Sequence, residues 1–376
     1  MRKLIHLQPF IPHYREEFFN LLSQQLQECS INGKPWGQEI YTYEKTKDVE
    51  SASFNISRLV CKHIPSKLFK GKLLLYNPFP LLKKDNKVLV LMLHFGHIST
   101  WLLLLTQFLH RRKIILWGQG ISVRRYQKEE RKPDWKLKWM IALADGVWLY
   151  MDKEKEQWQK LFPNKPIAAL HNTLTGIEEM VKYHPIVPKE DLKAKYGIKQ
   201  EVILIFCARF TSHRRIDLLL ETIKRLDSKR FGLVIIGAGN AKPDFSSFNN
   251  IYDFGSVYDT AVKRELFALA DAYFQPGWVG LSIVEAMAYG KPIFTFSRSE
   301  ETLQCVEYSY IQPDVNGMVF SCMEDCISTI NRLSTKEMKR MGDNARRYAA
   351  KHLTVGQMVD NAMSVVKEVC VQDFSK

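Results

Sequence analysis

Eleven short runs of apolar and β-branched residues recur along this chain, most of them separated by stretches with helical spacing. In the first half the runs are RKLIHLQ, KVLVLML, KIILWG, GVWLYM and PIAALHN; in the second they are VILIFCARF, FGLVIIG, NIYDFGS, AYFQPG, KPIFTFS and GMVFS. No other feature constrains the fold as much. Strands that alternate with helices pair in parallel, because a parallel neighbour lies beyond the reach of a tight turn and needs a crossover. The helical stretches include 216–226, 263–270 and 281–289, and two more, 335–351 and 355–370, close the chain with no strand after them. A chain of 376 residues exceeds one comfortable core, and a hydrophobic content of 46% is ample for two. The reading is α/β, with two doubly wound domains. The seam falls near 172–188, where HNTLTGIEE runs into HPIVPKEDLKAKYGIK before a fresh strand at Val202. The expected domains are therefore 1–175 and 176–353, with a C-terminal helix in 354–376 packing back towards the N-terminal domain.

The opening MRKLIHLQPFIPHYREEFF breaks its apolar run with His6, Gln8 and two prolines, so it reads as part of the fold rather than a secretory signal. The richest apolar stretch, 88–109, is interrupted by His94, Gly96 and His97 and reads as strand, loop and helix rather than a membrane span. Seven cysteines (Cys29, Cys61, Cys207, Cys305, Cys322, Cys326, Cys370) are scattered in apolar surroundings. The one close pair, Cys322 and Cys326, has helical spacing and no nearby histidine, so no zinc site is expected and a reducing, cytoplasmic compartment fits. The net charge of +14 is uneven: residues 1–175 hold 28 Lys and Arg against 15 Asp and Glu, whereas 176–376 hold 26 against 25. Such asymmetry points to an anionic partner for the first half: a membrane surface, nucleic acid or a phosphate-bearing substrate. No nucleic-acid-binding signature accompanies the charge. A dehydrogenase is also disfavoured, since GAGNAK lacks the third glycine of a dinucleotide fingerprint.

The chemistry concentrates in the second half. Between Asp271 and Lys291 the only charged side chain is Glu285, set among Ile283, Val284, Met287 and Ala288. An ionised carboxylate in such company is costly unless something hydrogen-bonds to it. It either accepts protons from two ribose hydroxyls or pairs with an arginine as a structural tie. Gly277 and Gly280 follow the run AYFQP and precede the helix LSIVEAMAYG, so a phosphate can approach the backbone at Gly280, Leu281 and Ser282. Gly237 and Gly239 follow FGLVII in the same way. After VILIF comes ARFTSHRRIDLLLETIKRL, with Arg209 at the strand end and Arg214 and Arg215 just before a helix. Guanidinium groups at such positions clamp a diphosphate bidentately and stay charged at any working pH.

Together these pieces resemble the large family of retaining, nucleotide-sugar-dependent glycosyltransferases with the GT-B architecture. The likeness covers about residues 170–370 through the order and spacing of three motifs, and is looser before that, resting on PHYREEFF, WGQG and HNTL. It implies two Rossmann-like domains facing across a cleft, with C-terminal helices, the acceptor in the first domain and the donor in the second. By the resemblance Arg209 and Arg214, the latter where a lysine is more usual, contact the donor diphosphate, and Glu285 binds the donor ribose. No metal and no cofactor besides the nucleotide sugar are implied, because the arginines and loop amides stabilise the leaving diphosphate. Retention then follows the family's front-face route. The family usually carries a second acidic residue eight positions before the helix Glu, contacting sugar hydroxyls; this chain has Gly277 there. That leaves the donor sugar open, and makes a non-catalytic membrane-associated scaffold the alternative.

In the first half His94 and His97 follow KVLVLML, where the family often has a histidine facing the donor sugar, and Arg15 in PHYREEFF is a weaker candidate for the same cleft. The stretch VRRYQKEERKPDWKLKWMIALADGVW interleaves basic residues with Tyr126, Trp135 and Trp139, a pattern that suits a basic helix lying on anionic lipid. The expectation is a peripheral enzyme at the inner face of a membrane, acting in cell-surface polysaccharide biosynthesis on a saccharide or lipid-linked acceptor.

Overall fold

The computed structural model of the chain describes residues 1–28, 34–44 and 57–371; Cys29 lies outside them. It forms two compact units, one of Met1–Thr175 with Val355–Lys376 and one of Gly176–Thr354. In the first unit the strands are β1 (Lys3–Gln8), β2 (Gly37–Thr42), β3 (Lys62–His63), β4 (Ser66–Phe69), β5 (Leu73–Tyr76), β6 (Asn86–Met92), β7 (Lys113–Trp117), β8 (Gly146–Leu149) and β9 (Ile167–Ala169). Its helices are α1 (Glu16–Glu28), α2 (Ile98–Leu105), α3 (Gln107–His110), α4 (Tyr126–Arg131), α5 (Trp135–Leu143) and α6 (Asp152–Leu161). Seven strands pair in the order β3-β2-β1-β6-β7-β8-β9, every pair parallel. The order reverses between β1 and β6, which is the doubly wound pattern. Ile5, Leu7, Leu89, Leu91, Ile114 and Val147 fill the core under this sheet.

The second unit holds α7 (Ile177–Lys182), α8 (Lys189–Tyr196), β10 (Val202–Cys207), α9 (Ile216–Arg225), β11 (Phe231–Ile236), β12 (Ile251–Asp253), α10 (Thr260–Leu269) and β13 (Ala272–Phe274). It continues with α11 (Ser282–Ala288), β14 (Ile293–Phe296), β15 (Gly317–Phe320), α12 (Met323–Arg332) and α13 (Thr335–His352). Its six strands run β12-β11-β10-β13-β14-β15, again all parallel, with the reversal between β10 and β13. β10 and β11 are buried along nearly their whole length, as expected of strands covered on both faces. The fold is thus α/β, with two Rossmann-like halves and helices closing the chain.

The last helix, α14 (Val355–Val371), belongs to the first unit. It packs on α1, β8 and β9, and a Cβ at Gly146 of β8 would stand 2.7 Å from Val365 Cγ1, so only glycine lets the helix lie this close. Asn361 Nδ2 donates to Ala169 O at 2.9 Å.

Three pieces of strand structure go beyond the sequence reading: β2, β3 and the antiparallel β4–β5 hairpin. β2 hides in the sequence because Gln38 and Glu39 break its apolar run, and Glu39 is held by Lys3 and Lys62 at 2.5 and 2.7 Å. The basic stretch 123–143 is not one helix. Pro133 ends α4, and Asp134 caps α5 by accepting from Lys136 N at 2.8 Å.

Candidate active site

In open doubly wound sheets ligands bind beyond the carboxyl ends of the strands, at the point where strand order reverses. In the second unit that point lies between β10, which Arg209 follows, and β13, which the loop 275–281 follows. The chain after β11 is laid against the chain after β10: Ala208 N donates to Ile236 O and Phe210 N to Ala238 O, both at 3.0 Å. This close approach explains two glycines. Gly237 and Gly239 have φ of 147° and 153°, and a Cβ on either would run into the carbonyls of Ala208 and Phe210.

The loop after β13 is braced from inside by two buried amides. Gln275 donates to Gly277 O (3.0 Å) and Trp278 O (2.7 Å) and accepts from Tyr273 OH (2.7 Å) and Ser282 Oγ (2.9 Å). Gln304 donates to Pro276 O, Thr295 Oγ1 and Phe296 O and accepts from Val279 N. Held this way, Trp278 adopts φ 53°, a left-handed conformation that costs a non-glycine residue about 1 kcal/mol, and stacks on His213 with centroids 4.7 Å apart. Gly277 has a steric reason of its own: a Cβ there would stand 2.9 Å from Arg215 Cγ and 3.0 Å from His213 O. Gly280 is freer, its nearest atom being Cys305 Sγ at 3.7 Å, and Leu281 and Ser282 open α11, whose first amides have no acceptor within the helix.

The charged groups divide sharply. Arg215 is fully engaged, with Asp217 at 2.7 Å and Thr302 Oγ1 at 2.6 Å, and serves the loop's own structure. Arg209 is exposed, and Arg214 reaches only Trp278 O at 3.5 Å with its Nε buried and without an acceptor. Among the described residues neither has a carboxylate partner. Burial pulls the Arg214 pKa below the usual guanidinium value. Glu285 is buried, 9% exposed, and pairs with Lys263 of α10, Nζ to Oε1 2.6 Å. Burial works most strongly, to lower the Lys263 pKa, but the charge and hydrogen bond of Glu285 together with Cys207 and Tyr289 outweigh it, so the ammonium is held above its ordinary value. Cys207 lies in the same field, its thiol pushed up to about 12 by burial and then by the Glu285 charge.

The structure therefore gathers Arg214, Glu285 and the Gly280 loop, and adds Lys263 and Gln275, which the sequence reading lacks. A lysine on one helix meeting a glutamate on the next leaves no periodic trace. The isolated Glu285 announced only that some partner exists, and the partner in the structure is a lysine rather than an arginine.

His94 and His97 belong to the first unit. Their rings lie 4.8 Å apart, His94 Nδ1 accepts from Gly96 N at 3.2 Å, and His97 is buried against Tyr43. Burial lowers both pKa values, that of His97 to about 4, so both rings are neutral at pH 7. Arg15 is buried inside its own unit: it donates to Asn172 Oδ1 and lies 5.4 Å from the Trp117 ring. In the basic stretch Arg125 pairs with Glu129 and Asp134, and Tyr126 is buried with its hydroxyl donating to Glu154 at 2.8 Å, while Trp135 and Trp139 are exposed. Among the described residues no three His, Cys, Asp or Glu side chains are grouped to hold a metal.

Residues 188–348 match the family described as glycosyl transferases group 1. The fold is similar to that of Anabaena HepE solved with UDP: 13% identity, TM-score 0.64, covering 98% of this chain and 100% of that one. It is also similar to a glycosyltransferase from Rickettsia africae, at 15% identity and TM-score 0.62 over 98% of each chain. The lipopolysaccharide outer core galactosyltransferase WaaB is 14% identical, with TM-score 0.64 over 97% of this chain and 99% of that one. No curated protein matches the chain by sequence. At these identities the structures show the GT-B fold alone, and the family match spans the part of the second unit that holds Arg209, Arg214, the Gly280 loop and Glu285.

Proposed function

We propose that the protein is a glycosyltransferase that moves a sugar from a nucleoside diphosphate donor to a saccharide or lipid-linked acceptor, with retention and without a metal ion. One observation carries the reading: two arginines without carboxylate partners among the described residues stand at the sheet's switch point beside the ion pair of half-buried Lys263 with buried Glu285. Such a site lacks an anion, and a diphosphate supplies it. Arg209 and Arg214 stabilise the charge that develops as the glycosidic bond breaks, together with the amides at Gly280, Leu281 and Ser282. Glu285 accepts from ribose hydroxyls while keeping Lys263, which adds a third positive group to the site. His94 and His97, neutral at working pH, act as hydrogen-bond partners on the acceptor side. The binding of UDP by the Anabaena protein makes uridine diphosphate sugars the first donors to try.

The test is nucleotide release from a panel of such sugars by wild type and Arg214→Ala, with the product's anomeric configuration read by NMR and the assay repeated in chelator. Release that is unchanged in Arg214→Ala sinks the reading. Gly277 favours one alternative, a scaffold that keeps the fold without donor chemistry: nucleotide binding without turnover on any acceptor is its signature. The positive first half further supports association with an anionic membrane surface at the inner face, in the assembly of cell-surface polysaccharide.

A further inference from the structure

The first unit leaves a surprising amount of its apolar surface outside. We infer that α2, α3, the β4–β5 hairpin and α5 form a face that docks shallowly in an anionic lipid bilayer, apolar side chains entering the interface and lysines and arginines meeting lipid phosphates at its rim. The inference rests on the membrane association proposed above, and assigns it to a face that extends from α5 of the basic stretch to α2, α3 and the hairpin.

Helix spacing gives the first argument. Ile98, Leu102, Leu105 and Leu109 fall at i, i+4, i+7 and i+11, one stripe along α2 and α3, and all four are exposed. The opposite side carries Leu103 and Leu104, both buried, so α2 is apolar on two sides and covered on one. Phe108 beside the stripe is 74% exposed.

The neighbouring elements extend the same surface. Ser99 of α2 accepts from Tyr76 N and donates to Tyr76 O, which fixes β5 alongside the helix. Strand alternation then turns Leu74 and Tyr76 inward and Leu73 and Leu75 outward, and Phe69 pairs opposite Leu73. On α5, which also packs on α2, Leu137, Met140 and Ile141 face the core while Trp135 and Trp139 are 66% and 60% exposed. Lys136 Nζ sits 4.5 Å from the Phe95 ring, joining α5 to the loop before α2. Monomeric proteins seldom leave contiguous apolar surface of this kind uncovered.

Charge decides what covers it. Residues 57–143, which span all four elements, hold 18 Lys and Arg against four acidic residues, Asp85, Glu129, Glu130 and Asp134. Lysine is depleted at protein interfaces, whereas lysine and arginine around exposed tryptophan, phenylalanine and leucine suit the headgroup region of anionic lipid. No helix among the described residues is long and apolar enough to cross a bilayer, and the stripe lies along short helices, so the mode is docking.

The test sediments the full chain with phosphatidylcholine–phosphatidylglycerol vesicles and with phosphatidylcholine alone, at low and high salt. Wild type should sediment with the anionic vesicles and keep part of its binding at high salt, because salt screens charge and not apolar insertion. The triple variant Leu105→Gln, Phe108→Gln, Leu109→Gln should lose on the order of tenfold or more of its partition, with an unchanged melting temperature since all three are exposed. A folded variant that sediments as wild type does overturns the face and leaves membrane association to the basic stretch. Wild type that ignores every vesicle overturns both. A lipid-free dimer that the triple variant dissociates, with no vesicle binding, assigns the face to a second copy and overturns the lipid inference. Nucleotide-induced thermal shift, measured on the same variant, reports the donor site separately.

Discussion

The two sheets are wound in the same order, yet the carboxyl ends of their strands are finished in opposite ways. In the first unit the ends of β1, β7 and β8 are filled by its own side chains. His6 is wholly buried among Phe19, Trp117 and Trp148, and Arg15 is spoken for by Asn172 and the aromatic rings around it. In the second unit the equivalent strands end in glycine loops, with Arg209 and Arg214, which have no carboxylate partner among the described residues, and Glu285, which pairs with Lys263. The winding supplies a crevice in either case. Whether an anion belongs there is decided by which side chains already neutralise one another.

That contrast is most easily broken at the arginines. Arg209→Ala and Arg214→Ala should each lower turnover by about two to three orders of magnitude with the fold intact, the range for removing one transition-state stabiliser. Arg15→Ala should do the reverse, lowering the melting temperature while turnover per folded molecule holds. Steady-state kinetics beside thermal melts of the three variants decide the matter, and a catalytic loss confined to Arg15→Ala would invert the assignment.

The closed crest of the first unit should show itself in acid. Burial pushes the His6 pKa down to about 3 and that of His97 to about 4, against 6.5 for the unfolded side chain. Between those values the unfolded chain binds protons that the folded one refuses, so stability is full above pH 6.5 and is lost as pH falls through the window. His6→Phe should remove on the order of 3 kcal/mol of that loss between pH 6.5 and 4, read from urea midpoints. A pH profile identical to wild type would show that His6 finds a proton acceptor or water.

At the open crest, Glu285→Gln should weaken nucleotide binding by about 1.5 to 3 kcal/mol through loss of charge-assisted acceptance. It also leaves the half-buried Lys263 without its anion, so the melting temperature should fall, and Lys263→Met should restore part of it in the double variant. Recovery of stability without recovery of affinity separates the structural tie from the ribose contact. Smallest of all, Gly277→Ala should cost about 1 to 2 kcal/mol of stability, because the new methyl meets His213 O, which belongs to the backbone, as well as the side chain of Arg215, which Asp217 and Thr302 hold in place.

Much of this architecture could be read from the residues alone, for identifiable reasons. Runs such as VILIFC and FGLVII are apolar on both faces, which only a covered parallel strand tolerates, and each of the pairs Arg209 with Arg214 and Gly280 with Glu285 is local in sequence. Lys263, Gln275 and Gln304 escaped because their partners lie on other elements, and a buried amide bracing a loop looks like any polar residue. The apolar stripe of α2 and α3 escaped for another reason: a segment apolar all round does not say which side the rest of the protein covers. The hairpin at 66–76 was hidden by the lysines that interrupt it.

The placement of α14 bears on how the chain comes into being. The second unit is continuous from Gly176 to Thr354, while the first awaits Val355–Val371 to cover α1 and Gly146. During synthesis the later unit therefore has all its residues before the earlier one does. The α1 and β8 surfaces wait, uncovered, through the making of some 180 intervening residues, closing only by a contact of very long sequence separation. Chaperone demand and sensitivity to truncation should accordingly concentrate in the half that emerges first.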